Sequence, residues 1–209
     1  MAKSKDKASE YVPLFVHVRG ILPALQSNGR LVNPLDPYTK TIKAIAAKKS
    51  RDKSDADAIA MMEAQFKGSL YCYDDKAGGP IYWPADNIHA CLKRGAKECR
   101  AGPKFDSAVI VEHPGGRLIY DGPQTRDALW ADQSFHFVKS TRRGTMSCRP
   151  IFNDWECQFS LSYIAADLDR KLLLDFIMRA GRIGLSAWPR RFGLFTVVEI
   201  RDEKVEIAL

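Results

Sequence analysis

The stretch from Trp155 to Ile200 constrains the fold of this chain more than any other. Apolar residues occupy the odd positions from Trp155 to Tyr163, and polar residues occupy most of the even positions between them. This period of two is typical of a β-strand with one buried face. A second strand is predicted from 194 to 200, so the segment at 164–193 must connect two strands.

A helix is predicted between those strands. Asp167 or Asp169 can cap its first turn, and Gly181 is expected to end it, because glycine adopts the positive φ that a helix C-terminus often needs. The apolar residues at helical spacing are Leu168, Leu172, Leu173, Phe176, Ile177 and Ala180. One apolar stripe of this kind predicts a helix that packs against the sheet.

The loop after this helix is rich in glycine, arginine and one tryptophan. Glycines at 181, 184 and 193 are expected to leave backbone amides open to a ligand. The arginines in and beside the loop are Arg179, Arg182, Arg190 and Arg191. Guanidinium groups for phosphate and Trp188 as a stacking face indicate single-stranded nucleic-acid binding. The alternative is a helix cap and a tight turn with solvated arginines. The other tryptophans, Trp83, Trp130 and Trp155, are predicted to be core or interface residues.

Positive charge is clustered along the chain. Its 209 residues carry a net charge of +7, and 45% of them are hydrophobic, which is ordinary for a protein with a packed core. The cations concentrate in three segments, at 40–53, 93–104 and 139–149. Such clusters indicate a polyanionic partner, and nucleic acid is favoured over an anionic membrane because no basic amphipathic helix with bulky apolar residues is evident.

The cysteines and the N-terminus indicate a cytoplasmic protein. The five cysteines are Cys72, Cys91, Cys99, Cys148 and Cys157, and none forms a CxxC pair. They are interpreted as reduced core residues, with a zinc site as a weak alternative, so no metal or cofactor is expected. Residues 1–10 are polar and are predicted to be a disordered tail without a signal peptide. No apolar run approaches the length of a membrane span.

The remaining elements complete an α+β pattern. A first strand is predicted at 11–19, and an insertion at about 20–84 follows it. In that insertion the prolines after Asn33 and Asp36 predict extended backbone. Asp86 is expected to cap a helix that ends at Gly102-Pro103.

The second half of this pattern begins with two more strands. They are predicted at 107–112 and 117–120, with residues 121–133 as a loop. A second insertion is predicted at about 113–154. Without the insertions the order is βαββαβ, which is the order of a ferredoxin-like or RNA-recognition-motif-like core in a single domain spanning 11–209.

The chain resembles the RAMP superfamily, which includes the backbone subunits of CRISPR effector complexes. The resemblance rests on the core order, the two insertions and the Gly/Arg loop; 146–155 and 184–193 also resemble small phage proteins. It implies a homopolymer along RNA or single-stranded DNA, with 113–154 as a basic thumb and 181–193 as the glycine-rich loop. The predicted nucleic-acid contacts are Lys48, Lys49, Arg51, Lys53, Arg142, Arg143, Arg149, Arg182, Gly184, Trp188, Arg190 and Arg191.

Catalysis is the runner-up to binding. Some RAMP relatives cleave RNA with a histidine or with an aspartate after the first strand, which makes His17 and Asp36 weak candidates here. A general base also needs a partner and a substrate pose, and the sequence shows neither. Three hypotheses follow: a non-enzymatic single-strand binder, a ribonuclease of the same fold, and a viral mimic that binds a CRISPR or host complex.

Overall fold

The computed structural model describes residues 11–139 and 146–207, so the predicted tail at 1–10 lies outside the described residues. These residues combine antiparallel β-sheet with six α-helices. The strands are β1 (Tyr11–Gly20), β2 (Ala24–Leu25), β3 (Cys72–Asp74), β4 (Gly79–Pro84), β5 (Val109–Val111), β6 (Gly115–Tyr120), β7 (Phe135–Lys139), β8 (Met146–Phe152), β9 (Trp155–Ile164) and β10 (Phe195–Arg201). The helices are α1 (Pro37–Ala47), α2 (Asp55–Lys67), α3 (Ala85–Glu98), α4 (Gly102–Ala108), α5 (Arg126–Ala131) and α6 (Arg170–Ile183).

Strand β9 is central in the main sheet, whose order is β10-β1-β9-β6-β4-β3. Its first half pairs with β6 and its second half with β5, while β1 covers its other edge along nearly its whole length. The odd residues from Trp155 to Tyr163 are buried, as the period of two predicts. This strand is therefore held on both edges, and its apolar side chains define the buried face of the sheet.

Helices α3 and α6 cover that buried face and pack closely against each other. Gly95 allows this approach, because a Cβ at that position would overlap the carbonyl oxygen of Phe176. The stripe predicted for α6 is buried at Leu173, Phe176, Ile177 and Ala180. Asp169 caps α6 by accepting from the backbone amides of Lys171 and Leu172 at 2.8 and 3.3 Å. The prediction of an amphipathic helix at this place is confirmed.

The end of α6 differs from the prediction. Gly181 lies inside the helix, where its missing side chain lets the carbonyl oxygen of Phe195 approach. The helix continues to Ile183, and Gly184 is its C-cap with a φ of 102°. Both glycines are therefore needed for close packing or for a positive φ, and only the second ends the helix.

Three local predictions were wrong: the helix end at Gly102-Pro103, the loop at 121–133 and the helix cap at Asp86. Gly102-Pro103 begins α4, since proline also suits the first turn of a helix, and the next strand therefore starts at Val109. The backbone at Asp36 is extended, as predicted, and Asp36 is also the N-cap of α1, which begins at Pro37. A short helix, α5, occupies part of the predicted loop at 121–133. Asp86 lies in the first turn of α3, whose N-cap is Pro84.

The two predicted insertions meet in the structure. Strand β2 pairs with β8, and β8 pairs with β7, so 20–84 and 113–154 share a second small sheet. Phe66 of α2 is fully buried there, with its ring centroid 5.5 Å from that of Trp130. On the surface, Arg30 and Arg126 both donate to Asp75, at 2.6 and 2.8 Å. The hairpin β7–β8 is therefore packed on the first insertion.

Candidate nucleic-acid interface

A groove forms where the hairpin β7–β8 lies against the loop that follows α6. It is a cavity of about 310 Å³, open to solvent, and we call it the aromatic groove. The groove is lined by His136, Phe137, Val138, Lys139, Met146, Trp188, Arg191 and Phe192. The structure thus brings together the two segments that the sequence singled out separately, the Gly/Arg loop and the basic hairpin.

Hydrogen bonds hold the loop wall of this groove in one shape. The amides of Arg191 and Phe192 donate to the carbonyl of Trp188, at 3.3 and 3.1 Å. This turn places the Trp188 and Phe192 side chains on the same side of the loop, where both line the groove. Trp188 is only partly buried, so part of its ring remains available for contact.

The glycines of the loop do not present free amides to a ligand, which corrects the sequence interpretation. The Gly184 amide donates to Ala180 at 2.8 Å, and the Gly193 amide donates to Pro23 at 2.7 Å. Both glycines are buried, and a Cβ on either would collide with neighbouring backbone. Gly184 and Gly193 therefore shape the loop, and the contact surface consists of side chains.

The hairpin wall adds exposed apolar side chains and a second cation. Phe137 is 39% exposed and Met146 is 53% exposed, so this wall adds accessible apolar surface beside Trp188. The ring centroids of His136 and Phe192 lie 5.6 Å apart, which joins this wall to the loop. Lys139 is exposed at the end of β7. The groove therefore offers flat apolar surface between two cations, Lys139 and Arg191.

The arginines predicted in the loop separate into two kinds. Arg190 donates to Glu98 at 2.8 Å, a carboxylate 92 residues away in sequence, so its charge is already paired. Arg182 and Arg191 are exposed, and within the described parts of the chain no carboxylate lies within 4 Å of either. Of these predicted contacts, Arg191 is the one that lines the groove.

Arg149 does not belong to the interface, which is the largest correction to the predicted site. Its guanidinium points inward from β8 and donates to the Ser69 hydroxyl at 3.0 Å and to the Gln65 carbonyl at 3.4 Å. Its Nε has no partner within the described residues, and burial lowers the pKa of Arg149. The side chain fastens the hairpin to α2 and does not reach a strand in the groove.

The basic segment at 48–53 connects α1 to α2 and does not line the aromatic groove. Lys48 pairs with Asp57 at 2.6 Å, and Arg51 lies 3.6 Å from Asp52. Lys49 and Lys53 are exposed. Arg142 and Arg143, the remaining predicted contacts, lie outside the described residues.

The two weak catalytic candidates both have internal partners. His17 Nε2 lies 2.6 Å from Glu156 Oε2, and the bond from Arg19 to Glu156 holds the pKa of that carboxyl below its usual value, with His17 contributing further. Asp36 is buried, caps α1 and accepts from Arg30 Nε at 2.8 Å. Neither residue lines the aromatic groove.

Several groove residues were missed in the sequence. Phe192, Phe137 and Met146 were not singled out, although Phe192 follows Trp188 by four residues and Phe137 belongs to a run of alternating aromatic residues. That spacing alone does not show which ring is exposed. Across 11–139 and 146–207 no cluster of three or more metal-binding side chains occurs, and no helix is long and apolar enough to cross a membrane.

Comparisons with known proteins leave the family open. No family model matches the chain, and no curated protein matches it. A chain in the cryo-EM structure of the Type III-B Cmr-beta bound to cognate target RNA is similar in structure, with 12% sequence identity and a TM-score of 0.42. The alignment covers 92% of this chain and 60% of that one, so this chain spans about three fifths of its length. A TM-score this low does not establish a shared fold.

Proposed function

We propose that this protein binds single-stranded nucleic acid, without catalysis, through the aromatic groove. The observation that carries the proposal is the position of Trp188, Phe192 and Phe137 in one cavity with Lys139 and Arg191. Stacking on an aromatic ring contributes about 1–3 kcal/mol per base, and cations follow the phosphates. A groove of flat rings between cations suits this combination.

The same geometry favours a single strand over a duplex. In a duplex the faces of the bases are stacked on one another, so they are not available to Trp188. The cations contact phosphates and the rings contact base faces, and both are present in every sequence. We therefore expect little sequence preference at this groove, and we expect affinity to fall steeply with salt because counterions are released.

The core is proposed to be ferredoxin-like and related to the RAMP superfamily. With the first insertion set aside, α3 lies between β1 and β6 in the chain, and β9 lies between these two strands in the sheet. Helix α6 connects β9 to β10, and β1 lies between them. Two interleaved crossovers of this kind are the split βαβ arrangement of ferredoxin-like folds. This arrangement supports the proposal that 11–209 is one such domain with two insertions.

Assembly along the strand is part of the proposal. Val32 and Leu35, in the first insertion, are 84% and 73% exposed, which makes that loop available to a neighbouring copy. Contacts between neighbours on one strand give cooperative binding, and head-to-tail contacts produce open filaments when the rotation does not close. Negative-stain images with a long single strand should show a filament; independent monomers would contradict this part alone.

A binding titration tests the central proposal. Fluorescence anisotropy with labelled single-stranded RNA and DNA, and with the matching duplexes, should show binding to a single strand that weakens as salt rises. Equal affinity for the duplex, or affinity independent of salt, would overturn the proposal. Incubation of labelled RNA with the protein tests the absence of catalysis, since cleavage that disappears in His17→Ala would show a ribonuclease.

A further inference from the structure

A second hollow lies on the other side of the loop that carries Trp188. It is a cleft of about 230 Å³ between α3 and the start of this loop, and we call it the α3 cleft. One wall includes Asp86, Asn87 and Arg94, and the other includes Ser186 and Ala187. None of the α3 residues lines the aromatic groove.

The α3 cleft and the aromatic groove are neighbours. Ala187 lines the cleft and Trp188 lines the groove, and consecutive Cα atoms are only about 3.8 Å apart. The amide of Ala187 donates to the carbonyl of Leu25 at 3.2 Å, which fixes the loop at this point. The two hollows therefore adjoin along one loop, which a strand that occupies both of them requires.

The polar groups of the cleft are arranged in a definite order along α3. Asp86 and Arg94 are eight residues apart on one helix face, a separation of about 12 Å at the helical rise. Arg94 is exposed, and within the described chain no carboxylate lies within 4 Å of it. A guanidinium without a partner suits a phosphate. A carboxylate repels phosphate, so the end of the cleft at Asp86 suits the base.

Asp86 and Asn87 supply hydrogen-bond acceptors to the cleft, which is also lined by Trp83, whose buried Nε1 donor has no partner within the described residues. Asn87 donates its Nδ2 to the hydroxyl of Tyr71 at 3.2 Å, which leaves its Oδ1 as an acceptor. Asp86, when ionised, also only accepts. Acceptors favour a base with an exocyclic amino group. Cytosine carries this group where uracil and thymine carry a carbonyl oxygen.

We infer that the α3 cleft is a second nucleotide subsite for the strand bound in the aromatic groove. Arg94 binds a phosphate, and Asp86 and Asn87 select a base with an exocyclic amino group, cytosine over uracil. This inference rests on the proposed single-strand binding. It adds a base preference that the aromatic groove by itself does not provide.

The test compares cytidine and uridine homopolymers of equal length, as RNA and as DNA, by fluorescence anisotropy. These bases differ at ring position four, amino against carbonyl, and at N3, acceptor against N–H donor, so the comparison reports on the hydrogen-bonding edge that carries the amino group. The wild-type protein should bind the cytidine strands about five- to tenfold more tightly. Asp86→Ala should remove that preference and leave uridine binding unweakened. Equal affinity for the two strands in the wild-type protein would overturn the inference.

A matched pair of variants on α3 tests the phosphate contact. Arg94→Gln and Lys97→Gln each remove one exposed positive charge from the same helix, and Lys97 does not line the cleft. Arg94→Gln should weaken binding of both strands about fivefold more than Lys97→Gln. Equal losses would show a general charge effect and overturn the Arg94 assignment. Failure of Trp188→Ala to weaken binding would instead count against the aromatic groove, so the two proposals fail separately.

Discussion

The aromatic groove and the open face of the main sheet contain similar residue types, but their charges are organised differently. Across the sheet the register aligns Tyr82, Arg117, Gln158, His17 and Glu199 in one row. Glu156 accepts from Arg19 beside this row, and Arg201 is paired with Glu199 and Glu203. In the groove, by contrast, Lys139 and Arg191 have no carboxylate within 4 Å among the described residues.

This difference shows why a count of cations does not locate an interface. A cation that is already paired with a carboxylate must lose that partner before it can bind phosphate, whereas Arg191 loses none. RNA-recognition-motif proteins stack bases on aromatic residues of the sheet. Here the two central strands, β1 and β9, present His17 and Gln158 in the aligned row, and Tyr82 lies on β4, which β9 and β6 separate from β1. The groove is therefore the better candidate.

The largest expected effect comes from removing the stacking ring of the groove. Trp188→Ala should weaken single-strand binding by about 1–3 kcal/mol, because one base loses its stacking partner. Tyr82→Ala, on the sheet, is the control and should leave binding unchanged. Anisotropy titrations measure both, and equilibrium denaturation tests the competing outcome, in which Trp188→Ala instead loses several kcal/mol of folding stability as a buried core ring would.

A smaller effect is expected from single cations. Arg191→Gln should weaken binding to all sequences alike and reduce the slope of log K against log salt by about 1, as expected for one phosphate contact. Arg117→Gln removes an equally exposed cation from the sheet face and should leave the slope unchanged. If Arg191→Gln and Arg117→Gln change the slope equally, the nucleic acid contacts the groove and the sheet alike, which would contradict the proposed binding site.

Glu156 pairs with cations of the sheet face, and this pairing makes its contribution to stability depend on pH. The bonds from Arg19 and His17 lower the pKa of Glu156, so its ionised form is favoured in the folded protein. Its contribution to stability is present above the ordinary carboxyl pKa and is lost as pH falls through the lowered value. Glu156→Gln should lower the free energy of unfolding by up to about 1 kcal/mol at neutral pH. It should also reduce the dependence of that free energy on pH in the acid range. An unchanged pH dependence in a denaturation series would contradict this assignment.

The smallest effect on binding is expected from Arg149→Met. The methionine keeps an unbranched apolar stem and removes a buried guanidinium, so binding should change by less than about twofold. The lost bonds to Ser69 and Gln65 are offset in part by removal of an unpaired buried Nε. A binding loss as large as that of Arg191→Gln would restore Arg149 to the interface.

Local patterns in the sequence predicted the elements that depend on local rules. The alternation from Trp155 to Tyr163 and the apolar stripe of α6 are both present in the structure. Each of these features depends on residues within a few positions of one another, so the local sequence is enough to predict it. The prediction at Gly102-Pro103 was wrong because glycine often follows the end of a helix, whereas proline also suits its first turn.

The interface depended on contacts that the sequence does not encode locally. Glu98 neutralises Arg190 across 92 residues, and the hairpin turns Arg149 inward against α2. The loop glycines looked open in sequence, but their amides bond to Ala180 and Pro23. The sequence by itself thus determined the residue types that suit a nucleic acid. Only the tertiary structure decided which cations remain unpaired and which rings share a groove, because those properties depend on partners distant in the chain.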